Sequence, residues 1–428
     1  MEHEDLQVIT ASLTVSLPYT FLVYFRHALY NVKVDDMEQT RQLMGIIEKH
    51  NIDIWTYAIP GRDGQFLVSK SMKPIFEEEL VGIGLKYKIT TDNIKQYLEI
   101  EDRLLAEAAN KTSKKISKTS ISFDVIHRYD VVDQYLVDIA NAYPNVARVV
   151  SAGRSFEGRD IKYLRISTTD FQDTRKPIVF IESLLHAREW VTLPATLYAI
   201  EKLVVDVTEQ ELVNDIDWII LPIANPDGYE FSHTGDRFWR KNRNNQVGMC
   251  VGVDLNRNYD FNWGTLSSNF ACSDTFHGPR PFSESESQIT RDILDQYDSR
   301  IDLFIDIHSF GSMILFPYGN GTLPPNALIL NWIGTQMVDS INAVKWPENR
   351  NYIVGNSAHV LYVASGECAD YAQVRIGSGL SYIYELPAYR NIQTTVFGFL
   401  VDPEFIYQAG FETWESIKVA ARYIRSRN

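Results

Sequence analysis

Cysteine is scarce in this 428-residue chain, which contains Cys250, Cys272 and Cys368 and no other cysteine. Three cysteines are too few for a disulfide scaffold, so the chain must be stabilised mainly by a hydrophobic core. Cys250 and Cys272 enclose a loop-like stretch, VGVDLNRNYDFNWGTLSSNFA. By themselves they leave two alternatives open: one bridge with a free thiol, or three reduced cysteines in the core.

Basic charge is also in short supply. Lys and Arg together number 41 against 55 for Asp and Glu, which gives a net charge of −14. This balance argues against nucleic acid or an anionic membrane surface as a partner held by bulk charge. Hydrophobic residues make up 45% of the chain, a globular proportion that excludes a disordered or fibrous protein.

Long apolar runs are missing except near the N-terminus. Residues 6–25 carry no charge, but Glu2, Glu4 and Asp5 stand where a secretory signal has a basic leader. Pro18 and the β-branched residues disfavour a membrane span. Residues 1–25 are therefore treated as an N-terminal apolar segment, with an atypical signal left open, and no membrane partner is expected.

The hydrophobic pattern divides the rest of the chain into three parts. Residues 26–92 predict strand–helix–strand–strand–helix–strand, a small α+β open sandwich. Residues 93–118 predict an amphipathic helix followed by a lysine-rich linker, which we expect to be open to proteases. Residues 119–428 alternate near-continuous apolar strands with helices, which predicts an α/β domain with a mixed, largely parallel sheet and helices on both faces.

The segment LLHAREWV (184–191) carries the first chemical signal. His186 and Glu189 are three residues apart directly after an apolar strand, where a turn can bring both onto one zinc ion. The same spacing also occurs by chance in solvated turns, so a third ligand is needed. His308 ends the strand LFIDIHSF, and open α/β sheets place sites at the carboxyl ends of strands. Together the three residues predict a zinc site with an open position for water.

Three further segments add charged groups at strand ends or in loops. Arginine and asparagine side chains near a zinc ion suit recognition of a carboxylate by planar donors. A glutamate that faces the attacking water would be the general base. The segments are FWRKNR with Arg240 and Arg243, VDLNRN with Asp254, Asn256 and Arg257, and SYIYELP with Glu385.

The chain resembles insect and pancreatic procarboxypeptidases, because it contains their motifs in the same order. These motifs are HAREW, FWRKNR, CVGVDLNRN, the His-Ser pair, YVASG and the EL that ends a strand. Procarboxypeptidases are zymogens of the digestive carboxypeptidase A/B family of zinc metallocarboxypeptidases, and the match runs from about residue 27 to the C-terminus. The resemblance implies one Zn²⁺ on His186, Glu189 and His308. It implies that Glu385 is the general base and that Arg243 polarises the scissile carbonyl and stabilises the oxyanion.

The resemblance also implies roles around the substrate. Asp254 would orient His186, and Cys250–Cys272 would be the family disulfide, with Cys368 unpaired. A disulfide implies an oxidising compartment, so we expect a secreted protein of the digestive lumen. The implied substrate contacts are Asn256 and Arg257 for the terminal carboxylate, the mobile Tyr362, the outer-subsite residues Arg188, Arg240 and Phe399, and Phe310 where the family commonly has Tyr.

In the family that the chain resembles, the preferred C-terminal residue depends on the side chain at the base of the specificity pocket. Counting forward from Ser365 and Gly366 places Ala369 there, which predicts a preference for neutral aliphatic or aromatic C-terminal residues. Glu367 and Asp370 flank Ala369, so a shift of register would supply a carboxylate and reverse the preference to Lys and Arg, as in carboxypeptidase B.

The family resemblance further implies a monomeric, latent precursor that acts on peptides with a free C-terminus. A trypsin-like protease would activate it by cleavage within residues 111–118. Two rival hypotheses are a non-catalytic peptide-binding relative, which would need a lost ligand or base, and another zinc amidohydrolase. No ligand or base is lost, and Asn256, Arg257 and Tyr362 favour recognition of a free carboxylate.

Overall fold

The computed structural model describes residues 27–112, 120–388 and 397–427, in which the strands form two separate sheets. The strands are β1 Ala28–Lys33, β2 Asp53–Thr56, β3 Gly64–Val68, β4 Lys86–Thr91, β5 Ala147–Arg154, β6 Asp160–Ile166, β7 Ile178–Ser183, β8 Asp217–Leu221, β9 Ile301–Ser309, β10 Met313–Phe316, β11 Ile353–Asn356 and β12 Leu380–Leu386. The α-helices are α1 Met37–His50, α2 Lys73–Gly82, α3 Lys95–Thr112, α4 Tyr129–Ala142, α5 Thr192–Ile200, α6 Gln210–Asn214, α7 Pro226–Thr234, α8 Ser285–Tyr297, α9 Ala327–Val344, α10 Ser357–Val360, α11 Cys368–Ile376 and α12 Pro403–Arg427. A π-helical turn, Glu201–Val205, continues α5, and a short 3-10 turn spans Leu255–Arg257.

The N-terminal unit, residues 27–92, is a four-stranded antiparallel sheet in the order β2-β3-β1-β4. Helices α1 and α2 cover one face, where Tyr30 and Phe66 pack with Phe76. Helix α1 begins where the Asp36 side chain accepts a hydrogen bond from the Gln39 amide at 2.8 Å. The predicted element order and the open sandwich are therefore confirmed.

The large sheet has the order β11-β10-β12-β9-β7-β8-β6-β5. Its central strands β12, β9, β7 and β8 are parallel, whereas β10 and β6 pair antiparallel with their central neighbours. Alternate residues of β7 enter two cores: Val179 and Ile181 pack towards α5 and α12, and Ile178 and Phe180 pack towards α8 and α11. Burial on both faces explains why these strands are almost continuously apolar, and the predicted mixed sheet is confirmed.

Three parallel strands end side by side at one edge of this sheet. In the β7–β9–β12 register Ser183 pairs with Ile307, and Glu385 pairs with His308. The chain leaves β7 through Leu184, whose φ of +57° makes a sharp turn at the sheet edge. This edge therefore brings together His186 and Glu189, which follow β7, with His308 on β9 and Glu385 on β12.

A long segment with little regular structure, residues 235–284, lies over this edge. The Cys250–Cys272 disulfide closes a loop within this segment, so the predicted alternative with one bridge is confirmed. Cys368 is buried and forms no disulfide with either of them.

Among the described residues, no helix has both the length and the apolar character needed to cross a bilayer. The predicted apolar segment 1–25 and residues 113–118 of the predicted linker lie outside the described residues, so both assignments stay predictions.

Candidate active site

The three predicted metal ligands meet at the edge of the large sheet. His186 Nδ1 lies 2.8 Å from Glu189 Oε1, and His308 Nδ1 lies 3.0 Å from both His186 Nδ1 and Glu189 Oε2. One donor atom from each residue falls within 4.8 Å of the others, and all three side chains are buried. Two imidazole nitrogens and one carboxylate are the donor set of catalytic zinc sites, so these residues fit Zn²⁺.

Local structure holds these ligands in place. His186 and Glu189 stand on the turn between β7 and α5, where the Ala187 amide donates to the Arg240 carbonyl at 3.1 Å. Glu189 Oε2 also accepts a hydrogen bond from the Ser309 amide at 3.1 Å. Burial opposes ionisation of Glu189, but the His186 and His308 imidazoles outweigh it and lower the pKa of this carboxyl.

Asp254 links His186 to an arginine. Its Oδ1 lies 3.1 Å from His186 Nε2, and its Oδ2 accepts bonds from Arg240 Nε and Nη2 at 3.1 and 2.9 Å. Although burial acts in the opposite direction, Arg240 and His186 lower the pKa of Asp254. The structure thus places Asp254 where it can orient His186, as the resemblance implies.

The position of Arg243 corrects one prediction. Arg240 lines the cavity beside the metal ligands, whereas Arg243 lies outside it, with its guanidinium 3.6 Å from the centre of the Phe231 ring and 4.5 Å from that of Trp239. The segment between them is not helical, so a spacing of three does not return both side chains to one face. Arg240, and not Arg243, therefore lies where it can reach a group bound beside the metal ligands.

The predicted carboxylate-binding residues lie together. Asn256 and Tyr362 line the cavity, and Arg257 Nη2 donates to the Tyr362 hydroxyl at 3.0 Å. The Asn256 side-chain oxygen accepts from the Cys368 amide at 2.7 Å, which fixes the orientation of its amide group. This corner offers a buried guanidinium, an amide N–H and a phenol to an anion.

Glu385 lies on β12 directly beside His308 on β9 and faces the same cavity. Burial, and next the charge of Glu189, raise the pKa of Glu385 to about 8, and a cation bound beside it would oppose this shift. A carboxylate in this position can reach a water molecule that is activated at the metal.

The N-terminal unit forms one wall of the cavity through residues 54–57. The Trp55 ring packs against Phe238 and Phe399, with centroids 4.8 and 5.3 Å apart. Tyr57 stacks on Tyr362 at 3.8 Å.

The predicted outer-subsite residues Arg188, Phe310 and Phe399 also line this cavity, opposite residues that the N-terminal unit contributes. Arg188 Nη1 donates to Asp53 Oδ1 at 2.7 Å, and Nη2 donates to the Ile54 carbonyl at 2.9 Å. These residues therefore contact the N-terminal unit in the intact chain.

The specificity pocket differs from the prediction at one position. Ala369 is fully buried in the core between the sheet and α11, and it does not line the cavity. Glu367, at the N-cap of α11, lines it together with Leu315 and Ile383. Glu367 Oε1 lies 3.6 Å from Arg257 Nη1, and Oε2 is buried without a hydrogen-bond partner among the described residues. The sequence predicts Glu367 only as a neighbour of the pocket base, whereas the structure places it in the cavity wall.

A buried His-Glu-His donor set at the carboxyl edge of a mixed α/β sheet, with arginines and a glutamate beside it, defines a zinc-dependent hydrolase. Residues 132–416 match the family model described as zinc carboxypeptidase, and the chain belongs to that family. It is therefore a zinc metallocarboxypeptidase.

Similar proteins carry both A- and B-type names. The chain is 41% identical to carboxypeptidase B of Helicoverpa zea, covering 94% of this chain and 96% of that protein. It is 31% identical to carboxypeptidase A2 of Rattus norvegicus over 91% of each chain. The crystal structure of carboxypeptidase A from Helicoverpa armigera matches with a TM-score of 0.92 and 56% identity, covering 94% of this chain and 98% of that chain. These names do not decide which C-terminal residue is preferred.

Proposed function

We propose that this chain is the latent, secreted precursor of a zinc carboxypeptidase that removes C-terminal Lys or Arg from peptides. The observation that carries the preference is the buried carboxylate of Glu367 in the wall of the cavity. The substrate is a peptide or protein with a free C-terminus, and the activated enzyme acts as a monomer.

The residues of the chain divide the reaction among them. Zn²⁺, when held by the three ligands, supplies Lewis-acid polarisation of the scissile carbonyl. Arg240 donates to the oxygen on which negative charge develops. Glu385 accepts a proton from the attacking water at its carboxylate and passes it to the leaving amine.

Three groups orient the substrate before that step. Arg257 binds its terminal carboxylate in a planar, charge-assisted contact, and Asn256 adds an amide N–H. Tyr362 covers the bound carboxylate from the cavity side. A peptide with an amidated C-terminus offers no anion to these groups, so it should be a poor substrate.

Charge accounting in the pocket supports the basic preference. Glu367 Oε2 has no hydrogen-bond partner among the described residues, and Oε1 is 3.6 Å from the nearest guanidinium nitrogen of Arg257. Burial raises the pKa of Glu367, although Arg257 opposes the shift. An ammonium or guanidinium from the substrate would pair with this carboxylate and offset its desolvation. The alternative, a neutral preference, is favoured by the apolar walls of Leu315 and Ile383.

The test uses the trypsin-activated protein and blocked dipeptides that end in Arg, Lys or Phe. We expect kcat/KM to be higher for Arg and Lys than for Phe. In Glu367→Gln the value for Arg should fall on the order of 100-fold, because breaking a desolvated charge pair costs 2–5 kcal/mol. The value for Phe should change little.

Asp370→Asn is the matched control. Asp370 is a buried acid on the same helix, but it accepts a hydrogen bond from the Gly319 amide and does not line the cavity. It should not change the ratio of Arg to Phe. A wild-type preference for Phe would overturn the basic specificity while leaving the carboxypeptidase activity intact.

Contacts of the N-terminal unit and of α3 with the large domain, at the active site and next to it, support latency. Besides the wall at residues 54–57, Arg62 donates to the carbonyls of Val360 and Leu361 at 3.2 and 2.7 Å, beside Tyr362. The buried Glu101 of α3 pairs with Arg237 at 2.8 and 3.0 Å. A trypsin-like protease that cuts the linker would release these contacts.

Limited trypsin digestion tests this mechanism. It should give a fragment of about 35 kDa that corresponds to residues 119–428, because exposed lysine-rich linkers are preferred cleavage sites. Peptidase activity should rise in step with that fragment. Full activity of the intact chain against large peptides would refute latency.

A further inference from the structure

A second buried carboxylate, Asp306, contacts the zinc ligand His308, whereas Asp254 contacts His186. Asp306 stands two residues before His308 on β9, so both side chains lie on the same face of the strand. Its Oδ2 lies 2.8 Å from His308 Nε2, and both side chains are buried.

The other polar neighbour of this nitrogen does not replace Asp306. Asn256 Nδ2 lies 3.2 Å from His308 Nε2. The oxygen of the same amide accepts from the Cys368 amide at 2.7 Å, so Asn256 presents N–H groups to the histidine. Asp306 is therefore the acceptor for a proton on Nε2, which leaves the lone pair of Nδ1 directed towards Glu189 and His186.

We propose that Asp306 is a positioning residue of the zinc site that fixes the tautomer and ring orientation of His308 and strengthens its binding to the metal. Asp254 serves His186 in a comparable geometry, at 3.1 Å. Each histidine ligand then has its own carboxylate, an arrangement that increases ligand basicity and metal affinity.

The two carboxylates differ in how their charge is balanced. Asp254 is paired with Arg240, so much of its charge is already compensated. Asp306 has no ion pair other than that with His308 among the described residues, and its Oδ1 is buried without a hydrogen-bond partner there. A buried carboxylate without a cation is unfavourable unless a nearby positive centre offsets it. The charge of Asp306 therefore acts mainly on His308 and on the metal it holds.

The neighbouring strand β7 provides a control for the effect of removing any buried carboxylate near the site. Glu182 pairs with Asp306 in the β7–β9 register and is equally buried. Its oxygens accept from Thr290 Oγ1 at 2.8 Å and from Cys368 Sγ at 2.9 Å rather than from a zinc ligand. Glu182→Gln thus removes a carboxylate next to Asp306 without removing a partner of the histidines.

The experiment measures the zinc dissociation constant of the full chain by competition with a chromogenic chelator. Asp306→Asn keeps an acceptor oxygen without the charge, and Asp306→Ser removes both. We expect zinc affinity to fall about 10-fold in the first variant and towards 100-fold in the second, the range found for partners of metal-binding histidines. Glu182→Gln should stay within about twofold of the wild type.

Two further readouts do not depend on activity. Co²⁺-loaded Asp306→Asn should show altered visible absorption, since the His308 ring is no longer held as firmly. This measurement can also be made on a variant that folds only when the metal is bound. In the zinc-loaded wild type, NMR should show a slowly exchanging Nε2 proton on His308. Unchanged zinc affinity in both Asp306 variants, an equal loss in Glu182→Gln, or a His308 that is protonated on Nδ1 would each overturn the proposal.

Discussion

Replacing Trp55 with alanine should make the uncleaved chain active. Trp55 is 5% exposed. Its indole packs against Phe238, Phe399 and Phe310 of the large α/β domain, with ring centroids 4.8 to 6.5 Å apart. Truncating a buried Trp costs about 3–5 kcal/mol. Because this side chain bridges the two units, we expect most of the loss to weaken docking of the N-terminal unit.

A loss of about 3 kcal/mol corresponds to roughly a 100-fold rise in the open fraction, since each 1.4 kcal/mol is a factor of ten. If the intact wild type shows only residual activity, Trp55→Ala should raise that activity by up to the same factor. The assay is hydrolysis of a blocked dipeptide with a free C-terminus by protein that has never met trypsin.

Two comparisons make the result decisive. After trypsin treatment the variant and the wild type should have equal kcat/KM, because Trp55 belongs to the part that cleavage removes. Trp332→Ala is the matched control, since Trp332 lies 58% exposed on α9 and should leave the intact chain latent. Uncleaved Trp55→Ala with no more activity than the wild type would refute the reasoning.

Three other changes should give distinct results. Glu385→Gln should retain zinc while kcat falls about 10²–10⁴-fold, which is the typical contribution of a general base. Metal analysis and steady-state kinetics check this prediction, and a kcat near that of the wild type would exclude Glu385 as the general base. Arg240→Ala should lower kcat about 10²–10³-fold, as expected for loss of an oxyanion donor, whereas Arg243→Ala should leave the metal-loaded reaction nearly unchanged. Burial raises the pKa of Glu286 to about 8, so the folded chain binds more protons than the unfolded chain between about pH 4.5 and 8. The stability of the wild type relative to Glu286→Gln should therefore fall as pH rises through that window, by at most about 1.4 kcal/mol per pH unit, in chemical denaturation; a parallel pH profile for the two proteins would contradict it.

The sequence by itself determined the N-terminal open sandwich, the central strands of the large sheet and the metal ligands. The first helix of the predicted open sandwich is observed as α1, Met37–His50, because its apolar residues recur at helical spacing between an Asp36 cap and Asn51. The strands that end in His308 and Glu385 were recognised because both faces of the central sheet are buried, which leaves continuous apolar runs. His186 and Glu189 are local to one turn, so their joint position follows from a short motif.

Only the tertiary structure decided between neighbouring residues of the same chemistry. Arg240 and Arg243 look equivalent in the sequence, but Arg240 meets Asp254 from a distant segment while Arg243 packs on Phe231. Non-helical backbone has no fixed period, so the direction of each side chain depends on what packs against it.

The same limit applies to the pocket and to the contacts of the metal ligands. Glu367 stands at the start of α11, and Ala369, two positions on, points to the opposite side, because successive helical residues turn by about 100°. Which of the two meets the cavity depends on how α11 docks against β9 and β12. Asp306 is two residues from His308, yet its role emerges only when Asn256 and Cys368, far along the chain, are seen to exclude the other acceptor. Spacing along the chain can indicate which residues share a site, but the direction of each donor and acceptor is set by packing between segments that the sequence keeps apart.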